Sequence, residues 1–240
     1  MKALLFNSGL GSRLGDLTKD KPKALVKLSN GETVFERQIR LLSACGVKDF
    51  VVTTGPFADQ IEAAARPFVE RGCAFVFVAN PLYAETNYIY SIYLARHEAE
   101  DDLLLMHGDL VFEAGLPGEM LSRNGSSMVI STAFPLPEKD FKAVVADGLI
   151  KKVGIEYFEQ AYAAQPLYKL TRRDWGIWLA KICEYCRRGE RGCYAENALN
   201  EVSGQCGIYS FDVGMRLCRE IDTTDDLKEV RELLKETEEG

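Results

Sequence analysis

The chain has 240 residues and a formal net charge of −7. That length suits one sizeable α/β domain, and the acidic balance excludes a general nucleic-acid binder, which needs a basic face. No apolar run reaches the roughly 18 residues of a membrane span. The short run after Lys2 passes straight into a glycine-rich loop, unlike a signal peptide, so a cytoplasmic location is expected. Seven cysteines in such a setting are expected to be reduced. Cys183 and Cys186 sit among Trp178, Leu179, Ile182 and Tyr185 at helical spacing, without the second pair that a zinc site wants. With only two histidines, His97 and His107, a multi-histidine metal site or a Ser-His-Asp triad is not expected.

A strand over 3–6 opens into Asn7-Ser8-Gly9-Leu10-Gly11-Ser12-Arg13-Leu14-Gly15, with Pro22-Lys23 beyond it. A helix over 34–45 follows, with a Thr33/Glu36 capping box and Gly46 as its stop. Then come a strand over 50–54, a helix over 58–70, a strand over 74–78, a helix over 88–95 capped by Asn87, and a strand over 103–107 ending in Gly108-Asp109. Short continuous apolar strands alternating with helices predict a doubly wound α/β sheet, buried on both faces. After residue 126 the pattern changes to a strand over 127–133, a hairpin over 142–155 turning at Asp147-Gly148, and a short strand over 168–170. Helices over 172–188 and 194–202, a strand over 207–211 and a final helix from Thr223 complete the chain, its charged end over 235–240 expected to fray. One domain over 1–240 is expected, with a core over 1–125, an α+β acceptor-binding or lid extension over 126–218, and a metal loop and helix over 219–240.

The glycine loop has the parts of a triphosphate grip. Gly9 and Gly11 let backbone N–H groups approach phosphate oxygens. Arg13 offers a planar charged fork, and Lys23 a mobile point charge. It is not a P-loop, because no Gly-Lys-Ser/Thr triplet occurs. Nor is it a dinucleotide fingerprint, because Gly15 comes one residue late and the next strand ends in Thr-Thr-Gly instead of an acid. Ligands of open parallel sheets bind beyond the carboxyl ends of the strands, which puts Asp109 in the same crevice. A triphosphate arrives with Mg²⁺, which takes one or two protein carboxylates. Asp109 is the first candidate, and Glu220-Ile221-Asp222 supplies a late-returning acid. Read alone, Asp222 is a helix N-terminal charge complementing the macrodipole.

These segments resemble the nucleotidyltransferase superfamily that activates phosphorylated small molecules with an NTP. The matching residues are Gly9-Leu10-Gly11-Ser12-Arg13-Leu14, Pro22-Lys23-Ala24-Leu25, Val52-Thr53-Thr54-Gly55, Gly108-Asp109 and Glu220-Ile221-Asp222. Asn80-Pro-Leu-Tyr83 and Asn87-Tyr-Ile-Tyr-Ser91-Ile-Tyr-Leu94 are similar to the bacterial phosphocholine and 2-aminoethylphosphonate cytidylyltransferases. The resemblance implies a Rossmann-like, GT-A-like mixed sheet and transfer of CMP from CTP to a small phosphate or phosphonate, with pyrophosphate released. It implies that the loop over Ser8, Gly9, Leu10, Gly11, Ser12 and Arg13 wraps the triphosphate. Lys23 would meet the α-phosphate and the nucleophile, with Arg13 as the second catalytic cation. Thr54, Gly55, Asn80, Asn87 and Ser91 would lie near the nucleotide, and Asp109 and Asp222 would hold Mg²⁺. Asn7-Ser8 depart from the usual pair of small apolar residues and could add hydrogen bonds to base or ribose.

The acceptor needs a cationic site for its phosphate end, for which Lys139, Lys142 and Lys152 are available. At the ammonium end, Tyr168, Trp175, Tyr194, Glu196 and Asn197 are available. A quaternary ammonium favours an aromatic cage, whereas a primary ammonium wants acceptors such as Glu196. Glu196-Asn197 tilts the expectation toward 2-aminoethylphosphonate over phosphocholine. The alternatives are a sugar-1-phosphate nucleotidyltransferase making a UDP- or dTDP-sugar, and a non-catalytic nucleotide-binding regulator. The oligomeric state stays open, a homodimer included.

Overall fold

The protein is described here by a computed structural model covering residues 1–9 and 11–238. The first half runs β1 (Lys2–Asn7), two 3-10 turns (Ser12–Thr18 and Lys23–Leu25), α1 (Val34–Ala44), β2 (Asp49–Thr54), α2 (Ala58–Val69), β3 (Ala74–Ala79), α3 (Tyr88–Ala95), β4 (Leu103–His107), β5 (Leu110–Phe112) and α4 (Leu116–Ser122). The second half runs β6 (Ser126–Ser131), β7 (Lys142–Ala146), β8 (Leu149–Gly154), β9 (Ala161–Leu170), α5 (Arg172–Arg187), α6 (Ala195–Val202), β10 (Ile208–Asp212), β11 (Cys218–Glu220) and α7 (Thr224–Glu238). The expected caps form. Glu36 N–H donates to Thr33 Oγ1 at 3.2 Å while Glu36 Oε2 accepts from Thr33 N–H at 2.8 Å. Asn87 Oδ1 caps α3 by accepting from Tyr88 N–H at 2.7 Å.

Nine strands form one sheet in the order β3-β2-β1-β4-β9-β6-β10-β8-β7. β3, β2, β1 and β4 are mutually parallel, and β9 enters antiparallel between β4 and β6. Residues 126–218 thus extend the same sheet by five strands. Alternate strand residues serve opposite faces. Leu4, Val51, Leu103 and Leu105 join the core under α3, α5 and α6, while Ala3, Leu5, Phe50, Leu104 and Met106 join the core under α1, α2 and α4. A third cluster, built from Leu14, Val26, Val111, Ile221, Leu227 and Val230, ties the glycine-loop region to α7.

Four elements differ from the sequence expectation. β9 spans ten residues, where a short strand over 168–170 was expected. Pro166, which cannot donate to a ladder, hides its continuity. There β9 changes partners from β7 to β4, and its register with β6 slips between Met128 and Ile130. The three-residue strands β5 and β11 pair antiparallel as a separate ribbon, too short to show a period. α4 begins Leu-Pro-Gly, which reads as a turn, although proline is well suited to a helix's first turn. No helix of the described residues is long and apolar enough to cross a membrane.

Gly176, exposed inside α5 with open space where a Cβ would sit, is a site where alanine should stabilise by about 0.5–1 kcal/mol. At Gly108 a Cβ would collide with the Asn7 side chain and the Phe6 carbonyl, so Gly108→Ala should destabilise by roughly 1–3 kcal/mol. Urea melts of both variants check the opposite signs.

Candidate active site

The carboxyl ends of β1, β2 and β4 converge. Asn7 lies opposite Thr54, and the chain leaves β4 through Gly108, whose N–H donates to Phe6 O at 3.0 Å. Gly55 packs so closely on the Ser8 carbonyl that no side chain fits. From α1, the buried Gln38 amide donates to His107 O at 2.9 Å and Leu110 O at 2.8 Å, fixing the turn that carries Asp109. The β5–β11 ribbon then brings in the distant acid. Glu220 pairs with Leu110, Ile221 N–H donates to Asp109 O at 3.0 Å, and Asp222 follows at once.

A cavity of about 480 Å³ opens over this junction. Among the residues expected at the nucleotide, Asn7, Ser8, Gly9, Gly11, Ser12, Arg13, Lys23, Asn80, Asn87, Ser91, Asp109 and Asp222 line it. Leu10 lies outside the described residues. Thr54 and Gly55 are placed behind the wall, where Thr54 O accepts from Asn80 N–H at 2.8 Å and Gly55 supports Ser8.

Lys23 occupies the centre. Its ammonium donates to Asp109 Oδ2 at 2.6 Å and to Asp222 Oδ1, and Arg13 reaches Asp222 Oδ1 at 2.8 Å. Burial works against the charged ammonium of Lys23, but Asp109 and Asp222 outweigh it and hold its pKa above the ordinary value. Burial likewise works against the Asp109 carboxylate, yet Lys23 and His107 hold its pKa below the ordinary value. His107 Nδ1 meets Glu220 Oε1 at 2.7 Å. Burial pulls the His107 pKa down, and Glu220 and Asp109 more than reverse it. Asp109 Oδ1 and His107 Nε2 are buried with no hydrogen-bond partner among the described residues. An oxygen left open beside a second convergent carboxylate suits a hard divalent cation. One ligand atom each from His107, Asp109 and Glu220 also lie within 4.8 Å of one another. Both ends of the Asn7 amide are buried without a partner as well. Beside it runs a hydroxyl relay. Ser8 Oγ donates to Thr53 Oγ1 at 3.1 Å, Ser91 Oγ to Ser8 Oγ at 3.2 Å, and Asn80 Nδ2 to Ser91 Oγ at 3.0 Å.

Part of the cavity wall is aromatic. Tyr88, Phe141 and Tyr194 line it together with His107 and Ile155. The Tyr88 ring lies 4.7 Å from His107 and 6.3 Å from Tyr194, and Phe141 meets Tyr194 edge-on at 5.0 Å. Lys139 and Asp140 complete the rim. Of the three lysines considered for an acceptor phosphate, Lys139 alone lines the cavity. Lys142 is fully buried, donates to Pro137 O at 2.6 Å and lies 4.1 Å over the Phe158 ring. Lys152 donates to Asn200 O at 2.9 Å on the α6 side. Trp175 is core, its indole N–H donating to Ala99 O at 2.8 Å, and Asn197 is exposed on α6. Tyr168 and Glu196 are buried one layer behind the aromatic wall, with Tyr168 O–H donating to Glu196 Oε1 at 2.9 Å. Tyr88, Phe141 and Asp140 line the cavity without a sequence signal that marks them as site residues. Tyr88 looks like an ordinary helix-face residue, and Phe141 and Asp140 lie in a segment with no motif.

The MobA-like NTP transferase domain family matches residues 3–174, and this chain belongs to it. It is therefore a nucleotidyltransferase by family. It is 32% identical over 113 residues to a choline-phosphate cytidylyltransferase of Streptococcus pneumoniae, covering 47% of each chain. It is 38% identical over 93 residues to a 2-aminoethylphosphonate cytidylyltransferase of Lancefieldella rimae, covering 39% of this chain and 36% of that one. Each match thus spans about half or less of the relative's length. The solved CTP:phosphocholine cytidylyltransferase from Streptococcus pneumoniae superposes with a TM-score of 0.79 over 97% of this chain and 98% of that one, at 21% identity, which establishes a shared fold.

Removing the ammonium leaves two carboxylates facing each other. Lys23→Ala should cost roughly 2–3 kcal/mol, less than the ~3–5 kcal/mol of a fully buried pair because these side chains keep 14–18% exposure. Because the folded Asp109 pKa is depressed, this difference is present above the ordinary aspartate range and is lost as the pH falls through the folded value. Denaturant melts of both proteins across the acid range, without added metal, check it.

Proposed function

We propose that this chain is a CTP-dependent cytidylyltransferase for a small phosphate-bearing acceptor with a cationic end. The observation that carries this reading is Lys23 held between Asp109 and Asp222 at the mouth of the glycine loop. An acceptor phosphate oxygen attacks the α-phosphorus of CTP, the bond to the β-phosphate oxygen breaks, and pyrophosphate leaves with the electron pair. The nucleophile is already anionic, so no general base is required. The obstacle is one anion approaching another, and fixed cations are the main remedy. Arg13 and Lys23 meet the triphosphate, Lys23 turning from the carboxylates to the α-phosphate. Gly9, Gly11 and Ser12 offer backbone donors. The unpartnered Asn7 amide and the Ser8–Ser91–Asn80 relay face the nucleoside. Asp109 and Asp222 would hold Mg²⁺, which when bound supplies charge neutralisation on the phosphates.

The aromatic part of the cavity wall shapes acceptor choice. Tyr88, Phe141 and Tyr194 present rings, whereas both oxygens of Glu196 are taken by the hydroxyls of Tyr88 and Tyr168. Glu196 therefore does not face the cavity as an open acceptor for a primary ammonium. The lining favours a methylated ammonium, which moves phosphocholine ahead of 2-aminoethylphosphonate. Lys139 is the available cation for the acceptor's phosphate end.

Pyrophosphate release, measured with each NTP and Mg²⁺ against phosphocholine, 2-aminoethylphosphonate and glucose-1-phosphate, tests this reading. Release is expected with CTP and phosphocholine. Release only with the sugar phosphate would assign the chain to UDP- or dTDP-sugar synthesis, and none at all despite CTP binding would leave a nucleotide-binding regulator. Lys23→Ala and Asp109→Asn should each slow turnover at least about 100-fold, the loss of one preorganised electrostatic contact. Tyr194→Ala should raise KM for phosphocholine about two- to fivefold, one partly exposed cation–π contact, with little effect on KM for CTP.

A further inference from the structure

Glu196 is 1% exposed and stands directly behind the aromatic wall. Among the described residues, its side chain is bonded by two hydroxyls, those of Tyr88 and Tyr168, and by no cation. The groups packed around it come from four elements. Tyr88 of α3 and Tyr168 of β9 meet it through their hydroxyls. Glu220 of β11 adds negative charge that opposes ionisation, while being itself paired with His107 of β4. On the α5 side stands the neutral indole of Trp178, 5.3 Å from the Tyr168 ring. Burial first, and then Glu220, push the Glu196 pKa up to about 8. Its backbone hydrogen bond opposes this without reversing it, so the acid form prevails in the empty protein at neutral pH, and in that form one of the two tyrosine contacts runs from the carboxyl O–H to the phenol oxygen.

The ring of Tyr88 separates this carboxyl from the cavity. A permanent cation against that ring would place a positive charge across one side chain from Glu196, in a setting where solvent screens little. It would favour the carboxylate. A tyrosine hydroxyl donating to a carboxylate in turn enriches its ring, which strengthens the ring's attraction for the cation. Two donor hydroxyls stand ready to stabilise the ionised form.

We propose that Glu196 is a specificity-determining residue: a cationic head group entering the aromatic cavity drives it to the carboxylate, and one proton leaves Glu196 for solvent as the acceptor binds. This rests on the acceptor reading given above. An uncharged head group of the same shape releases no proton and gains nothing from the relay. Sign and window follow from linkage. Between the lowered value in the complex and the free-state value near 8, binding expels the proton, so affinity for the cationic acceptor rises with pH across that window, by at most about tenfold per unit, and is level on either side of it.

The test is calorimetric and needs no turnover. The full chain, with Mg²⁺ and an α,β-methylene analogue of CTP bound, is titrated at pH 7 with phosphocholine or with 3,3-dimethylbutyl phosphate, its uncharged carbon isostere. Buffers of different ionisation enthalpy give the number of protons released. The expected result is close to one proton for phosphocholine and none for the isostere, with the difference abolished in Glu196→Gln. The isostere keeps the comparison decisive in the unmodified protein should that variant fold poorly, and it subtracts contributions from His107 and from the acceptor phosphate. Phosphocholine binding with no more proton release than the isostere, or an undiminished difference in Glu196→Gln, would overturn the inference while leaving the acceptor reading intact. Failure of phosphocholine to bind while the CTP analogue does would overturn the acceptor reading, and the inference with it.

Discussion

One ammonium held between two carboxylates organises this molecule. Lys23 is 86 residues from Asp109 and 199 from Asp222, so no local structure can bring them together. The sheet and the small β5–β11 ribbon do so. β1 and β4 lie side by side and parallel, which places the loop after one beside the turn after the other. The ribbon hangs on that turn and delivers the late acid, and α7 packs beneath with the glycine-loop region. The unsubstituted backbones of Gly55 and Gly108 allow the strand ends to approach this closely. The geometry of the charges is thus a property of the whole fold, not of a motif.

The cavity lining combines two kinds of group: the charged Arg13, Lys23, Asp109 and Asp222, and the rings of Tyr88, Phe141 and Tyr194. This explains how a chain with a net charge of −7 can suit an anionic ligand. A few fixed cations set the local field, and the overall acidity acts elsewhere. It also divides labour between the two halves of the sequence. The first supplies Arg13, Lys23, Asp109 and most of the polar lining. The second supplies Phe141 and Tyr194, both carried on the extended part of the sheet and its helices.

Much of this was legible in the sequence, for physical reasons that differ by region. Parallel strands buried on both faces are continuous apolar runs, so β1, β2 and β4 stood out, as did the capped helices α1 and α3; β3 is an equally apolar run, yet it lies at the sheet edge and is only partly buried. The glycine loop, Lys23 and Asp109 were readable because their chemistry constrains residue type and place together. The aromatic part of the cavity wall was not. Lys142 looks like a ligand in sequence, yet its ammonium is spent on the Pro137 carbonyl and the Phe158 ring. Glu196 looks solvated or ligand-facing, yet it is buried behind Tyr88. Which way a helical side chain points depends on what packs against the helix, and that information lies in β9, the strand whose continuity Pro166 conceals.

The late arrival of Asp222 has a consequence for how the protein comes into being. On a ribosome, β1, the glycine loop and β4 emerge early, but β11 emerges only after two hundred residues have been made. Until then the ribbon is half built and Lys23 has only Asp109 to meet. A nascent chain therefore carries an incomplete charge cluster, and Lys23 gains its second carboxylate only when the last strand docks. The cluster and the fold are completed together, so any ligand that needs both carboxylates would stabilise the finished molecule and give little to a partly synthesised one.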